Sequence, residues 1–307
     1  MAPSVQPDAV ALSEYDGLGR VVEITPLGGS GTALAVRTSL GGRLVLKPAA
    51  RAADVDLQSR CASLLAGAGI RQARILPCAS GALVTTSGYY LQELLPGGAV
   101  LRPDPAQVDA VMGHVGLFHS VLARLPGGYE PDTDSVWALV ADGDWLVSRL
   151  PGLLSQYGLA DSELLGAVTA LSGSQRALDS LARQVVHGDL GPDNVLMDGR
   201  AVVAVVDFTP YYESALFGAA TALYWYHVYG RAHADVPRLL RSLELLGSAR
   251  PWTADELALW PAALLREALR RLATPLALGT PQSPSLPARV AAVRAILDIV
   301  TLWVAEN

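Results

Sequence analysis

Residues 20–27, 33–38 and 43–47 are short runs rich in Val, Leu, Ile and Ala with single polar residues set among them, and they are separated by Gly28-Gly29-Ser30-Gly31-Thr32 and by Gly41-Gly42. Strand-length apolar runs with glycine punctuation predict three short strands joined by tight turns. The pattern then changes: over residues 51–68, Val55, Leu57, Cys61, Leu64 and Leu65 recur at helical spacing. Residues 82–86 and 89–94 predict a further strand pair, which closes on Leu95-Pro96-Gly97-Gly98. Beyond residue 98 the pattern is helical, with stretches at 105–124, 144–157, 162–184, 234–246, 253–272 and 288–306. A break is expected at Pro151-Gly152, a kink or split at Pro261, and a linker over 274–287. Residues 1–18 have no clear period and hold two prolines, which predicts a flexible or loosely docked leader. Taken together the pattern gives a leader at 1–18, a β-rich lobe at 19–95 and a helical lobe at 96–307.

Composition narrows the function classes. Of 307 residues, 51% are hydrophobic and 17% charged, enough apolar material for real cores and too little charge for bulk disorder. A net charge of −6 provides no basic face for nucleic acid and is compatible with cationic small molecules. Two cysteines cannot form a disulfide framework, and the uncharged runs at 75–92 and 214–230 are broken by Pro, Gly or His. A cytoplasmic protein with free thiols, without a nucleic-acid or membrane partner, is expected. The basic residues are sharper evidence: among 23, Lys47 is the single lysine. Arginine serves a surface equally well, so a lone lysine points to a site that needs a compact ammonium.

The chemistry gathers in His187-Gly188-Asp189-Leu190-Gly191-Pro192-Asp193-Asn194 and in the apolar run at 201–206 that delivers Asp207. Two carboxylates and a carboxamide at this spacing can orient a hydroxyl, hold a divalent cation and bridge it to phosphate. Glycines between the first two strands would let backbone N–H groups approach phosphate oxygens without a side-chain clash. A bland reading of His187 and Asp189 as turn formers leaves Asn194 and Asp207 unexplained.

The order His-Gly-Asp-Leu, Asn194 five residues after Asp189, then Asp207-Phe208, resembles the aminoglycoside phosphotransferase branch of the protein kinases. The resemblance implies an α+β, bilobal protein-kinase-like fold, with a small antiparallel β lobe carrying one helix and a large, mostly helical lobe. It implies transfer of the γ-phosphoryl group of ATP or GTP to a hydroxyl. Asp189 would orient or deprotonate that hydroxyl, and Asn194 and Asp207 would hold Mg²⁺. Lys47 would bind phosphates beneath Gly28, Gly29, Ser30, Gly31 and Thr32, while the backbone of Glu93 and Leu95 would meet the nucleobase. Tyr211 and Tyr212, directly after the metal strand, would face the acceptor. The sequence departs from the pattern in two places. Residues 51–68 contain no glutamate to pair with Lys47, leaving Gln58, Asp54 or Asp56, and Tyr211-Tyr212-Glu213 stands where aminoglycoside kinases often continue with an aspartate. The acceptor would be a small hydroxylated metabolite or antibiotic, or else a peptide Ser or Thr. A nucleotide-binding scaffold without activity is the reading from another class.

Overall fold

Short apolar runs punctuated by glycine near the N-terminus build a five-stranded antiparallel sheet. Its strands are β1 (Val21–Leu27), β2 (Ala33–Thr38), β3 (Arg43–Pro48), β4 (Ile75–Leu76) and β5 (Tyr89–Glu93), in the order β1-β2-β3-β5-β4. The computed structural model describes residues 7–27, 32–125, 136–231 and 233–306. The chain divides into two bodies, residues 1–98 with 203–206, and residues 99–202 with 207–307.

In the first body the pleat sorts β3 cleanly. Leu44 and Leu46 join Val36, Cys78 and Leu91 in one buried cluster. Lys47 lies opposite Tyr90 in the β3–β5 register, on the face where Tyr90 packs with Val55 of helix α2 (Ala52–Gly67). From α2, Gln58 Oε1 accepts a 3.5 Å bond from the Tyr90 hydroxyl, Asp54 pairs with Arg51 at 2.6 Å, and Asp56 is exposed. The stretch expected as a leader carries a short helix, α1 (Pro7–Leu12), and Ala11, Leu12 and Tyr15 are buried in the Leu46 cluster. Six helical residues are too few to print a period, which is why the sequence does not announce this element. The pair expected at 82–86 and 89–94 is also different. Strand β5 forms, but its partner is β4, and 82–86 is irregular between turns at Gly81 and Gly88, both with positive φ. Both cysteines are buried free thiols. A two-residue strand, β6 (Gly98–Ala99), closes this part of the chain.

The second body is organised around one helix. Its helices are α3 (Pro105–Leu122), α4 (Val136–Ala141), α5 (Gly143–Gln156), α6 (Ser162–Asp179), α7 (Ala215–Leu223), α8 (Val236–Leu246), α9 (Ala254–Ala277) and α10 (Leu286–Glu306). Helices α4, α5, α6, α7 and α10 all pack on α9, in which every residue from Trp260 to Leu276 is buried. A helix enclosed on all sides is the hub of its body. That enclosure explains why neither Pro261 nor Pro275 interrupts α9. An internal proline costs about 3 kcal/mol, whereas each large apolar side chain buried along the helix returns about 1.5–3 kcal/mol. Pro151 likewise sits inside a continuous α5 rather than breaking it. The stretch expected as helix to residue 184 ends at Asp179 and gives way to strand β7 (Arg183–His187). After it come β8 (Val195–Asp198), β9 (Ala201–Val205) and β10 (Pro210–Ser214), the last antiparallel to β7. No helix among the described residues is long and apolar enough to cross a membrane.

Candidate active site

Strands β7 and β10 fix the site. Pairing of His187 with Pro210, and the 2.9 Å bond from Gly188 N–H to Thr209 O, pinch together the two ends of the segment that carries Asp189, Asn194 and Asp207. Gly188 is required there: a Cβ would lie 2.0 Å from the Tyr211 ring. Buried His187 holds the next turn, its Nδ1 accepting the Asp189 N–H at 3.1 Å. Its ring stands edge-on to Phe208, at 5.3 Å between centroids, and so ties the loop to the residue after Asp207. His119 of α3, also buried, accepts the His187 N–H at 3.4 Å. Burial drives its pKa down to about 3, with the nearby His187 and Arg250 adding to the shift, so it serves as a neutral structural group.

Asn194 donates from Nδ2 to Asp189 O at 2.8 Å and to Asp189 Oδ2 at 3.4 Å. With the nitrogen turned to Asp189, the amide oxygen points the other way. Asp207 adopts φ 54°, the one positive value at a non-glycine position among the described residues. An aspartate held in this region is a local strain that the surrounding fold has to sustain. Asn194 and Asp207 thus offer hard oxygen donors of the kind that suit Mg²⁺. Burial raises the pKa of neighbouring Asp193, and the charges of Asp189 and Asp207 push it the same way, so negative charge concentrates here.

The counter-charge comes from α9. Arg271 Nη2 lies 2.9 Å from Asp189 Oδ1, and its guanidinium covers the Trp225 ring at 4.9 Å. Arg270 and Arg271 both donate to Gly188 O, at 2.8 and 3.1 Å. Buried Glu267 accepts from Arg270 Nε at 2.7 Å, Arg270 Nη2 at 2.9 Å and Arg271 Nε at 2.7 Å. Burial opposes ionisation of Asp189, but the charges of Arg271 and Arg270 prevail and hold its carboxyl below its ordinary value. The Asp189 side chain stays 38% exposed, so its carboxylate is both anchored and accessible.

Sequence reasoning missed Glu267, Arg270 and Arg271. The available signal was Arg266-Glu267-Ala268-Leu269-Arg270-Arg271, with glutamate–arginine pairs at i,i+3 and i,i+4 inside an otherwise apolar helix. Tyr211, expected at the acceptor, is buried against Phe217 with its ring under Arg270 at 5.5 Å, and Tyr212 is half-buried. Asp189, Asn194 and Asp207 are gathered in the second body. Among the nucleotide candidates in the first body, Lys47 is half-buried, Leu95 is buried and Thr32 is exposed. Glu93 pairs with Arg74 at 3.2 Å. Gly28, Gly29, Ser30 and Gly31 lie outside the described residues.

A family profile described as phosphotransferase enzyme family, APH, matches residues 23–232, well over half of the chain. The chain belongs to this family. Homoserine kinase from Methylobacillus glycogenes is 35% identical over 123 residues, which are 39% of this chain and 38% of that protein. Homoserine kinase from Methylobacillus flagellatus is 38% identical over 101 residues, or 31% of each chain. The match therefore spans under two fifths of these curated relatives. An aminoglycoside phosphotransferase from Alicyclobacillus acidocaldarius superposes with a TM-score of 0.67 at 18% identity, covering 100% of this chain and 98% of that one. A microcompartment-associated aminopropanol kinase gives a TM-score of 0.71 at 14% identity, covering 99% and 98%. At such identities the likeness carries the fold. The APH resemblance read from the motifs and the expected kinase-like α+β architecture both hold, with an antiparallel sheet in the N-terminal region and helices in the C-terminal region.

Proposed function

We propose that this APH-family protein transfers the γ-phosphoryl group of a nucleoside triphosphate to the hydroxyl of a small molecule. The observation that carries the proposal is the state of Asp189: its carboxylate is half-exposed, fixed on one oxygen by Arg271 and approached on the other by Asn194. A carboxylate kept ionised in this way is a weak base and a good hydrogen-bond acceptor. It suits a loose phosphoryl-transfer transition state, in which the acceptor hydroxyl is oriented first and gives up its proton late. The acceptor oxygen bonds to γ-phosphorus, the bond to the β-phosphate oxygen breaks, and the hydroxyl proton passes to Asp189 and then to water. Asn194 and Asp207 would hold Mg²⁺, which supplies charge neutralisation on the phosphates when bound. Lys47, with Thr32 and the glycines before it, would bind the phosphates, and the backbone at Glu93 and Leu95 the base. The relatives named homoserine kinase and aminopropanol kinase support an alcohol acceptor. A neighbour described as amicoumacin kinase in complex with AMP-PNP and Ca²⁺ supports a nucleotide with a divalent cation.

The test is acceptor-dependent ADP or GDP release with Mg²⁺, across aminoglycosides, amino alcohols, hydroxy amino acids and Ser/Thr peptides. Asp189→Asn is expected to lower turnover by about 10²–10⁴-fold, the range of a positioned acid–base group, and Asp207→Asn to lower it by weakening the hold on Mg²⁺. Rates like wild type in well-folded variants would refute the roles. Nucleotide binding with no turnover on any acceptor would favour the scaffold reading.

A further inference from the structure

The two faces of the N-terminal sheet are closed by different means. Helix α2 packs on the face that carries Tyr90 and Lys47. The opposite face is closed by the chain just before the sheet: Ala11, Leu12 and Tyr15 share one buried cluster with Val36 of β2 and with Leu44 and Leu46 of β3. Leu46 and Lys47 are neighbours whose side chains leave β3 on opposite faces, so this segment presses on the strand directly behind the lysine. Ile24 of β1 and Leu34 of β2 pack on the same cluster, and these strands lead into and out of residues 28–32.

The attachment is that of a strap with a catch, a hinge and an anchor. The catch is Glu14. Its carboxylate accepts the Thr86 N–H at 3.0 and 3.1 Å and the Thr86 hydroxyl at 2.7 Å, and its carbonyl oxygen accepts the Ala79 N–H at 2.8 Å. The anchor is Arg20, whose N–H donates to Ser39 Oγ at 3.0 Å and whose carbonyl oxygen accepts the Ser39 N–H at 2.8 Å. Between them Gly17 adopts φ 72°, with nothing within 4 Å of the position a Cβ would take. Backbone conformation alone therefore asks for glycine there, as at a hinge. The six-residue helix α1 is too short to persist unaided, so its order depends on docking.

We propose that residues 7–16 are a hinged strap, released at Glu14 and swinging at Gly17, whose docked form holds β1, β2 and β3 ready for the nucleotide. The coupling rests on the phosphotransfer reading above, which assigns Lys47 and residues 28–32 to the phosphates. Strap and nucleotide act on the same three strands. A nucleotide that binds only the docked form must, by linkage, hold the strap shut to the same extent. A small element with few buried side chains opens at far lower cost than the whole body, so release precedes unfolding.

The chain's two cysteines report the opening. Cys78 lies in the strap cluster, 5% exposed and next to Ala79, whereas Cys61 is 1% exposed on α2. Full-length protein is alkylated with iodoacetamide, and each thiol is followed by mass spectrometry, with and without Mg²⁺ and AMP-PNP. Cys78 is expected to react at least about 10-fold faster than Cys61. Glu14→Ala should speed Cys78 by about 3–10-fold, the worth of a charge-assisted bond worn down by solvent. Gly17→Ala should speed it by about 5–30-fold, the cost of a left-handed alanine, with Cys61 unchanged in both variants. Nucleotide at ten times its calorimetric Kd should slow Cys78 by about 10-fold. Leu12→Asp should leave Cys78 freely reactive and raise Kd for AMP-PNP.

Cys78 and Cys61 reacting in step throughout would overturn the strap. Cys78 rates indifferent to bound nucleotide, or Leu12→Asp with Cys78 open and Kd unchanged, would overturn the coupling. Should Leu12→Asp fail to fold, the Glu14 and Gly17 variants and the nucleotide effect decide. Independent opening at Cys78 in a chain that binds no nucleotide would sink the nucleotide reading, and the coupling with it, and leave the hinged strap standing.

Discussion

Replacing Glu267 by Gln tests whether α9 is the support on which the Asp189 loop rests. The change keeps the shape, removes one buried negative charge, and leaves Arg270 and Arg271 sharing only the half-exposed Asp189 as counter-charge. Three short bonds to Glu267, at 2.7, 2.9 and 2.7 Å, are lost or reduced to a single amide acceptor. Breaking a buried ion pair by removing one partner costs about 3–5 kcal/mol, because the charge left behind stays desolvated. The amide oxygen of Gln recovers one bond, so the lower end, about 3 kcal/mol, is expected. For a body of this size that corresponds to a Tm drop of about 6–12 °C. Because Arg270 and Arg271 also clamp Gly188 O, turnover is expected to fall at least ~10-fold at temperatures where the variant stays folded. Differential scanning calorimetry, with urea denaturation to check that the slope is unchanged, reads the first effect, and steady-state kinetics the second. The double variant Glu267→Gln/Arg270→Met, which removes one uncompensated charge, should be less destabilised than the single variant. A loss below about 1 kcal/mol, or strictly additive behaviour in the double variant, would refute the charge-balance argument.

Gly188→Ala should misplace the loop, because the new methyl would stand 2.0 Å from a buried Tyr211 ring; a loss of about 1–3 kcal/mol with a larger loss of activity is expected. Gly173→Ala, at an exposed position of α6 with nothing within 4 Å of its Cβ, should instead stabilise by about 0.5–1 kcal/mol, and equal effects of the two substitutions in urea melts would remove the packing explanation. The pH dependence follows from His119 and His227, whose folded pKa values are pushed down by burial to about 3 and about 4. Both titrate near 6.5 when unfolded, so the unfolded state takes up protons first on acidification. Their contribution is complete above pH 6.5 and is lost as pH falls towards those folded values, at about 1.4 kcal/mol per pH unit for each. Urea midpoints should fall between pH 7 and 5, and His119→Gln should flatten that slope by one proton; an unchanged slope would contradict neutral burial. Thr253→Ala, which breaks the capping box with Glu256 at the start of α9, should cost about 1 kcal/mol by thermal melting, and no loss would show the cap to be idle.

What the sequence disclosed follows from the range of the interactions concerned. Strands β1, β2 and β3 and helix α2 were legible because short apolar runs between glycine turns, and helical period, are local. Asp189, Asn194 and Asp207 were singled out by spacing within one turn and one strand, and the structure gathers them in the second body. Strand β10 was not legible, since its letters, Pro210-Tyr211-Tyr212-Glu213-Ser214, become a strand only by pairing with β7. Tyr211 was placed on the acceptor side from its position after Asp207, yet the strand's inward face carries its ring into the core beside Phe217. The continuity of α9 through two prolines was hidden for the same reason, because helix packing from five sides overrides a local breaker.

The support for Asp189 was hidden more deeply, and the reason bears on how such a site can change. Gly188 and its two arginine donors are 82 and 83 residues apart. Nothing in the motif around Asp189 specifies that contact; it depends on α9 being threaded through the body with Arg270 and Arg271 at the correct turn. In the proposed reaction the loop would supply chemistry common to any hydroxyl, while α9 supplies the charge that holds the loop in place. Substitutions at Glu267 would therefore reach the proposed chemistry, because that carboxylate balances the arginine that fixes Asp189 itself.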